Sequence, residues 1–193
     1  MIRILGFFFV LALAGCVSAD PDYYTLAPVD GAVVAGPPVL VEIRRPSVPA
    51  YLDRLEMVQK SGSEIIPDNA HVWAAPLGKM AEAAMALDLS QRMRGSTIFT
   101  ESDALGTKAS YRVDLDVRQF DPDRQGHTVF TAQIMITDST GALVKTDVLD
   151  ATAGTTATTG SPMVLAINKF LGQLADRIAV DLHAVAEAPR FNK

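Results

Sequence analysis

The chain alternates between two hydrophobic periods, and the order of those periods predicts its elements. Ile4 to Ala14 opens as an apolar run of eleven residues interrupted only by Gly6. A membrane-spanning helix needs about 20 apolar residues, so this run is too short for a permanent span. Tyr23 to Leu26 is strand-prone, and Gly31 to Pro38 reads as a loop closed by Gly36-Pro37-Pro38. Val39 to Arg44 alternates, with Val39, Val41 and Ile43 on one face and Leu40, Glu42 and Arg44 on the other. Glu56 to Ser61 and Ser63 to Pro67 flank Gly62 as a hairpin, and His71 to Trp73 reads as a further short strand.

The period then changes. Leu77, Met80, Ala84 and Leu87 recur at helical spacing, widened by Ala81, Met85 and Leu89, which predicts a helix over Pro76 to Arg94 stopped at Gly95. From Ser110 to Ala153 strict alternation returns. Tyr111, Val113, Leu115 and Val117 face one way and Arg112, Asp114, Asp116 and Arg118 the other. Phe130, Ala132, Ile134 and Ile136 continue the pattern, and Asp138-Ser139-Thr140-Gly141 is a turn into Leu143 to Ala153. This predicts an antiparallel three-strand meander with one wet face, with Ala151 to Gly160 continuing the last strand. Ser161-Pro162 has the form of an N-cap followed by a first-turn proline. Met163, Ile167, Phe170, Leu171, Leu174, Ile178, Leu182 and Val185 then line one face of a long helix, opposite Lys169, Gln173, Asp176, Arg177 and Asp181. The expected fold is α+β: a single domain, mainly antiparallel sheet with two amphipathic helices packed on one face.

Composition narrows the function classes. The 193 residues carry 17 Lys and Arg against 22 Asp and Glu, a net charge of −5, and this acidic balance argues against nucleic-acid binding. With 49% hydrophobic residues the chain has material for a core. A single cysteine excludes an internal disulfide and a cysteine-based zinc cage. The nucleophile-elbow, zincin, P-loop and dinucleotide motifs are absent, and His71, His127 and His183 lie far apart in sequence. Asp121 to Gly126 begins like a calcium loop, but its twelfth position is Ala132 where a bidentate Glu is required. Asp114 and Asp116 sit beside Arg112 and Arg118 as a surface charge ladder. No metal, catalytic residue or soluble cofactor is expected, and the chain reads as a non-enzyme.

The start of the chain carries an address. Arg3 precedes the apolar run, and Leu13-Ala14-Gly15-Cys16 follows it, with Cys16 the sole cysteine. This resembles the lipobox of bacterial lipoproteins, which implies a signal peptide over 1–15 and a covalent diacylglycerol and N-acyl lipid on Cys16. A thiolate is the nucleophile such lipidation needs. Three acyl chains, at about 0.8 kcal/mol per buried methylene, anchor a protein essentially permanently. Residues 16–22 form a short tether, and the domain proper is expected over 23–193. Val17 stands where an inner-membrane retention signal would place Asp, so the expected address is the periplasmic face of the outer membrane.

One further region stands out. Pro49-Ala50-Tyr51-Leu52-Asp53-Arg54 lies in a proline-shaped loop, and Trp73-Ala74-Ala75-Pro76-Leu77 directly precedes the first helix. The prolines, Tyr51, Leu52, Trp73 and Leu77 suit either a loop-shaping and capping role or recognition. Tyr and Trp are large rigid contacts, and Arg54 can pair with a carboxylate. Taken in order, the lipobox, Tyr23-Tyr24-Thr25-Leu26, the Pro49 to Arg54 segment and Trp73-x-x-Pro76-Leu77 resemble the PqiC-like family of ABC-type transport auxiliary lipoproteins. Ala75 stands where family members often carry an acid.

The resemblance implies an outer-membrane-anchored, non-enzymatic accessory subunit of an MCE/ABC-type intermembrane lipid transport system. The implied partners are an inner-membrane MCE-domain protein and, in some systems, an ABC ATPase and permease, with assembly of the lipoprotein into a homo-oligomeric ring. Tyr51, Leu52, Asp53, Arg54, Trp73, Pro76 and Leu77 are the partner-contact candidates. The alternative is a general envelope lipoprotein that binds another periplasmic protein or a cell-wall component.

Overall fold

The computed structural model describes residues 20–103, 108–122, 127–153 and 159–188. Cys16 and most of the Asp121 to Gly126 loop lie outside them. The described chain forms strands β1 (Asp22–Tyr24), β2 (Leu40–Ile43), β3 (Glu56–Ser61) and β4 (Glu64–Trp73), then helix α1 (Leu77–Arg92). Strands β5 (Thr97–Thr100), β6 (Tyr111–Pro122), β7 (Thr128–Asp138) and β8 (Leu143–Ala153) follow, and helix α2 (Gly160–Glu187) closes the fold. The result is one mixed α+β domain with mostly antiparallel strands.

The strands divide between two sheets, where the sequence pattern suggests one. A five-stranded sheet runs β5-β2-β6-β7-β8, and a three-stranded sheet runs β1-β4-β3. The meander β6-β7-β8 is antiparallel as expected. Strand β2 pairs parallel with both β5 and β6, which places Val41 and Ile43, fully buried, on an interior strand of the large sheet. Strand β5 is an addition to the expected elements; Thr97-Ile98-Phe99-Thr100 is too short for periodicity to separate it from a loop. The segments expected as two short strands are one strand, β4, because its pairing with β3 skips from Asp68 to Val72. Pro67 is tolerated there since β1 pairs only with His71 to Trp73, leaving the other side of β4 open at Pro67.

Both helices cover one face of the five-stranded sheet. Phe170 of α2 stacks on Phe130 with centroids 4.8 Å apart, and Phe120 meets both edge-on. Leu174, Ile178 and Leu182 continue the buried stripe with no exposed surface. The helices differ from expectation in three places. Leu87 is 53% exposed, and the buried face of α1 runs instead through Leu77, Ala81, Ala84, Asp88 and Arg92. Asp181, placed on the polar face from sequence, is buried against Lys145 of β8 at 3.3 Å. The N-cap of α2 is Thr159 and not Ser161. Gly160 takes φ +69°, which turns the chain into the helix, and its N–H donates to Met57 Sδ at 3.1 Å.

The segment between β1 and β2 crosses the helix pair and is held by an ion cluster whose Arg92 and Asp88 are buried and whose Asp176 reaches solvent. Arg92, 1% exposed, donates to Val29 O (2.9 Å), Asp88 O (3.0 Å) and Asp176 Oδ1 (2.6 Å). Val29 N–H donates to Asp88 Oδ1 at 2.6 Å, and Val34 N–H donates to Arg92 O. Burial pushes the Asp88 carboxyl above the usual carboxylate range, opposed by the Val29 N–H and Arg92. The i,i+4 spacing of Asp88 and Arg92 puts both side chains on one face of α1, where they meet the N-terminal segment.

Candidate functional site

The loop after β2 starts as an extension of the sheet. Arg44 N–H donates to Val113 O, Ser47 N–H to Leu115 O, and Val117 N–H back to Ser47 O. Two turns follow, closed by Leu52 N–H to Pro49 O (2.8 Å) and Arg54 N–H to Leu52 O (2.9 Å). Leu55 O then accepts the Trp73 N–H at 2.7 Å, which ties the end of this loop to the end of β4. Trp73 is also the register partner of Tyr24, the last residue of β1. Three residues on, Pro76 caps α1, its carbonyl accepting from Lys79 and Met80 N–H. The loop presses against that helix start. A Cβ on Gly78 would sit 2.9 Å from Pro46 O, so glycine permits the approach.

Between loop and helix start lies a cleft of about 460 Å³, lined by Arg45, Asp53, Arg54, Leu55, Pro76 and Gly78 among others. The structure therefore brings the two sequence-distant motifs together. It also sorts their side chains. Leu52, Trp73 (2% exposed) and Leu77 are core residues. Leu52 and Leu77 roof a small apolar cavity of about 30 Å³ above Phe120, Phe130 and Leu171. Tyr51 is half-buried, with Lys60 Nζ 5.4 Å from its ring centroid. Asp53, Arg54 and Pro76 are exposed, Pro76 at the lip. The candidates a partner can reach at the cleft are thus Asp53, Arg54 and Pro76, while Tyr51, on the same loop, lies outside the cleft lining. Leu55, which carries no motif signal in the sequence, joins the reachable three with 49% exposure.

The cleft is lined by polar and apolar groups alike, and its rim carries both signs of charge. Arg54 Nε donates to Glu56 Oε2 at 2.9 Å, and this contact holds the Glu56 carboxyl below the usual range. Arg45 lies 3.9 Å from the buried Glu82, whose other oxygen accepts the Glu101 N–H. The exposed Arg54–Glu56 pair can exchange partners at little cost, whereas Glu82 is buried. Among the described residues no group of three or more His, Cys, Asp or Glu side chains is arranged to hold a metal, and no helix is long and apolar enough to cross a membrane.

Residues 24–179 match the family described as the ABC-type transport auxiliary lipoprotein component. The chain belongs to that family. The match spans both motifs, the cleft and most of α2 in this auxiliary lipoprotein. No curated protein matches its sequence significantly. Among solved structures, the Xanthomonas campestris protein XCC0632 is similar with a TM-score of 0.66 at 15% identity, over 86% of this chain and 97% of that one. An uncharacterized protein aligns with a TM-score of 0.65 at 21% identity, over 85% and 99% respectively. Both show the fold. A PelC dodecamer from Paraburkholderia phytofirmans aligns with a TM-score of 0.44 at 13% identity over 73% of this chain and 92% of that one, too loose a likeness to argue from.

Proposed function

We propose that this auxiliary lipoprotein is anchored through lipidated Cys16 on the periplasmic face of the outer membrane. There it docks an inner-membrane MCE-domain protein through the cleft face formed by Asp53, Arg54, Leu55 and Pro76, together with Tyr51 on the same loop. Its role in intermembrane lipid transport is non-enzymatic: it supplies a fixed point of attachment, and an ABC ATPase and permease supply the work. The observation that carries this reading is the convergence of the loop and helix-start motifs on one open cleft in a family of transport auxiliaries. The short tether supports it. Six residue steps lead from Cys16 to the start of β1, a reach of about 20 Å, so the body stays near the lipid surface.

Tyr51→Ala and Arg54→Ala separate docking from folding. Melting temperature, oligomer mass and pull-down of the cognate MCE protein are measured on the same variants. Docking through this face predicts a melting temperature within a few degrees of the parent, since both side chains are partly or wholly exposed, and a pull-down reduced at least tenfold. Reduced mass together with reduced pull-down assigns the face to ring assembly. Unchanged pull-down and mass in both variants removes the face from the proposal and favours a general envelope lipoprotein.

A further inference from the structure

The Tyr23-Tyr24-Thr25-Leu26 signal divides in the structure. Leu26 is buried, and Tyr24 is half-buried with its ring 5.7 Å from that of His71. Tyr23 is 69% exposed, so packing does not explain it. A second exposed feature lies in the same small sheet. The β3–β4 hairpin turns at Gly62, whose φ of +60° suits glycine and around which a Cβ would meet nothing within 4 Å. Met57 and Val58 bury the base of this hairpin, while Ser61, Ser63, Glu64, Ile66 and Pro67 are exposed, Ile66 at 43%. A two-stranded ribbon is marginal in water on its own, so an outer surface for it to lie on adds stability.

The topology aims both features the same way. Strand β1 runs parallel to β4, with Tyr23 opposite Val72. Strand β4 rises from the Gly62 turn, so β1 enters the sheet from the side on which that turn lies. On β3, Glu56 is opposite Val72 and Ser61 is opposite Glu64. Five residue steps therefore carry the turn about 17 Å past the level of Tyr23. The six steps from Asp22 back to Cys16 reach at most about 20 Å. A bilayer that holds a lipid on Cys16 lies within that reach of Asp22, and along the strand direction the hairpin tip covers most of the distance. The opposite end of β4 leads through Trp73 to the Pro76 lip of the cleft.

We propose that the tip of the β3–β4 hairpin, with Tyr23 beside the tether, is a membrane-contact surface that rests on the headgroups of the bilayer holding Cys16. This rests on the reading of Cys16 as a lipid anchor and adds an orientation to it: hairpin toward the bilayer, cleft away from it. The chemistry of the surface fits. The chain is acidic overall, but Gln59 to Pro67 carries one charge of each sign, Lys60 and Glu64, so the arm brings no net charge to an anionic surface. Tyr23 offers an apolar ring with a polar tip, the combination that settles at headgroup level, and Ile66 adds apolar area. The cleft then faces the periplasm, the side from which a partner rooted in the other membrane arrives.

Depth-dependent fluorescence tests the orientation on the full lipidated chain, reconstituted in vesicles of phosphatidylethanolamine and phosphatidylglycerol. Lipidation consumes the thiol of Cys16, the sole cysteine, so an introduced cysteine is the one reactive thiol. Ser63→Cys at the tip and Lys79→Cys beside the cleft, both at exposed positions, are labelled with an environment-sensitive fluorophore and exposed to lipids carrying a nitroxide on the headgroup. The probe at position 63 should shift to the blue and be quenched severalfold more than the probe at position 79. Tyr23→Asp with Ile66→Asp puts charge into the contact and should weaken quenching at position 63, with flotation and melting temperature unchanged. Vesicle flotation keeps the two readings apart. A chain that does not float overturns the anchor and the proposal together. A chain that floats but shows equal quenching at the two positions, or none at position 63, overturns the proposal and leaves the anchor standing. Quenching at position 63 that survives Tyr23→Asp with Ile66→Asp undiminished overturns the contact through those side chains.

Discussion

Arg92→Met is the most demanding test of how the helix pair is held to the N-terminal segment. Met keeps most of the aliphatic volume and removes the guanidinium, which donates to Val29 O, Asp88 O, Gly172 O and Asp176. Asp88 has no exposed surface; in the variant its carboxylate still accepts the Val29 N–H but no longer faces the Arg92 cation 3.6 Å away. Removing one member of a buried pair costs about 3–5 kcal/mol, because the remaining charge is uncompensated. For a chain of this length each kcal/mol lowers the melting temperature by about 2–4 °C, so the expected drop is roughly 6–20 °C at pH 7.5. The pH dependence carries a sign. Burial already raises the folded-state pKa of Asp88, and loss of Arg92 raises it further. A carboxyl with a raised folded pKa binds its proton more readily folded than unfolded, so stability increases as pH falls through that pKa. The gap between variant and parent should therefore narrow from pH 7.5 to pH 5. Thermal unfolding of the chain from residue 18 onward, followed by circular dichroism, reads both effects. A variant that melts within about 2 °C of the parent at pH 7.5, or a gap that widens toward acid, would refute the reasoning.

Two further outcomes are expected. Cys16→Ser should abolish acyl labelling, leave an uncut precursor and remove the protein from the outer-membrane fraction, read by metabolic labelling and density fractionation; normal labelling excludes Cys16 as the attachment site. Phe170→Asp and Leu174→Asp each bury an unpaired charge beneath the sheet and should cost on the order of 4 kcal/mol in urea unfolding, against less than about 0.5 kcal/mol for the exposed Gln173→Ala.

Much of the fold is legible because its strongest signals are long. The meander alternates through three strands of eleven or twelve residues, and the α2 stripe repeats from Met163 to Leu182. What escapes is what tertiary context decides. Strand β5 forms because β2 offers it a parallel edge, and four residues carry no period of their own. The division into two sheets depends on β1 pairing with the distant end of β4, which no local pattern encodes. Hydrophobicity assigns Leu87 to the buried face of α1, yet Asp88 and Arg92 take that side because the N-terminal segment supplies their partners. At the candidate site the motifs are readable and their division of labour is not. Trp73 and Tyr51 look equally suited to recognition in sequence; only the pairing of β1 with β4 and the roofing of the phenylalanine cluster show that Trp73 and Leu52 are structural.

The proposed anchor and the cleft share a short mechanical path. The chain enters at β1, β1 pairs in parallel register with the end of β4, and β4 runs through Trp73 directly into the Pro76 lip of the cleft. Ala74 N–H donates to Tyr24 O at 2.8 Å, one residue beyond the paired strands, so the coupling continues to the turn itself. Tension between a lipid-held Cys16 and a partner seated in the cleft would load this path and little else of the molecule. Three residue pairs between β1 and β4 are a weak joint on their own. The segment after β1 adds a second hold, where Val29 and Val34 are fixed to α1 through Asp88 and Arg92 and Ala27 N–H donates to Asn168 of α2. A buried ion cluster is a costly way to gain stability, since apolar residues of like volume would serve as well or better. It is an effective way to fix one extended segment in one register, because both backbone groups of Val29 have a specific charged partner. On this argument the cluster keeps the entry strand seated against any load that the proposed anchor and the proposed partner would apply.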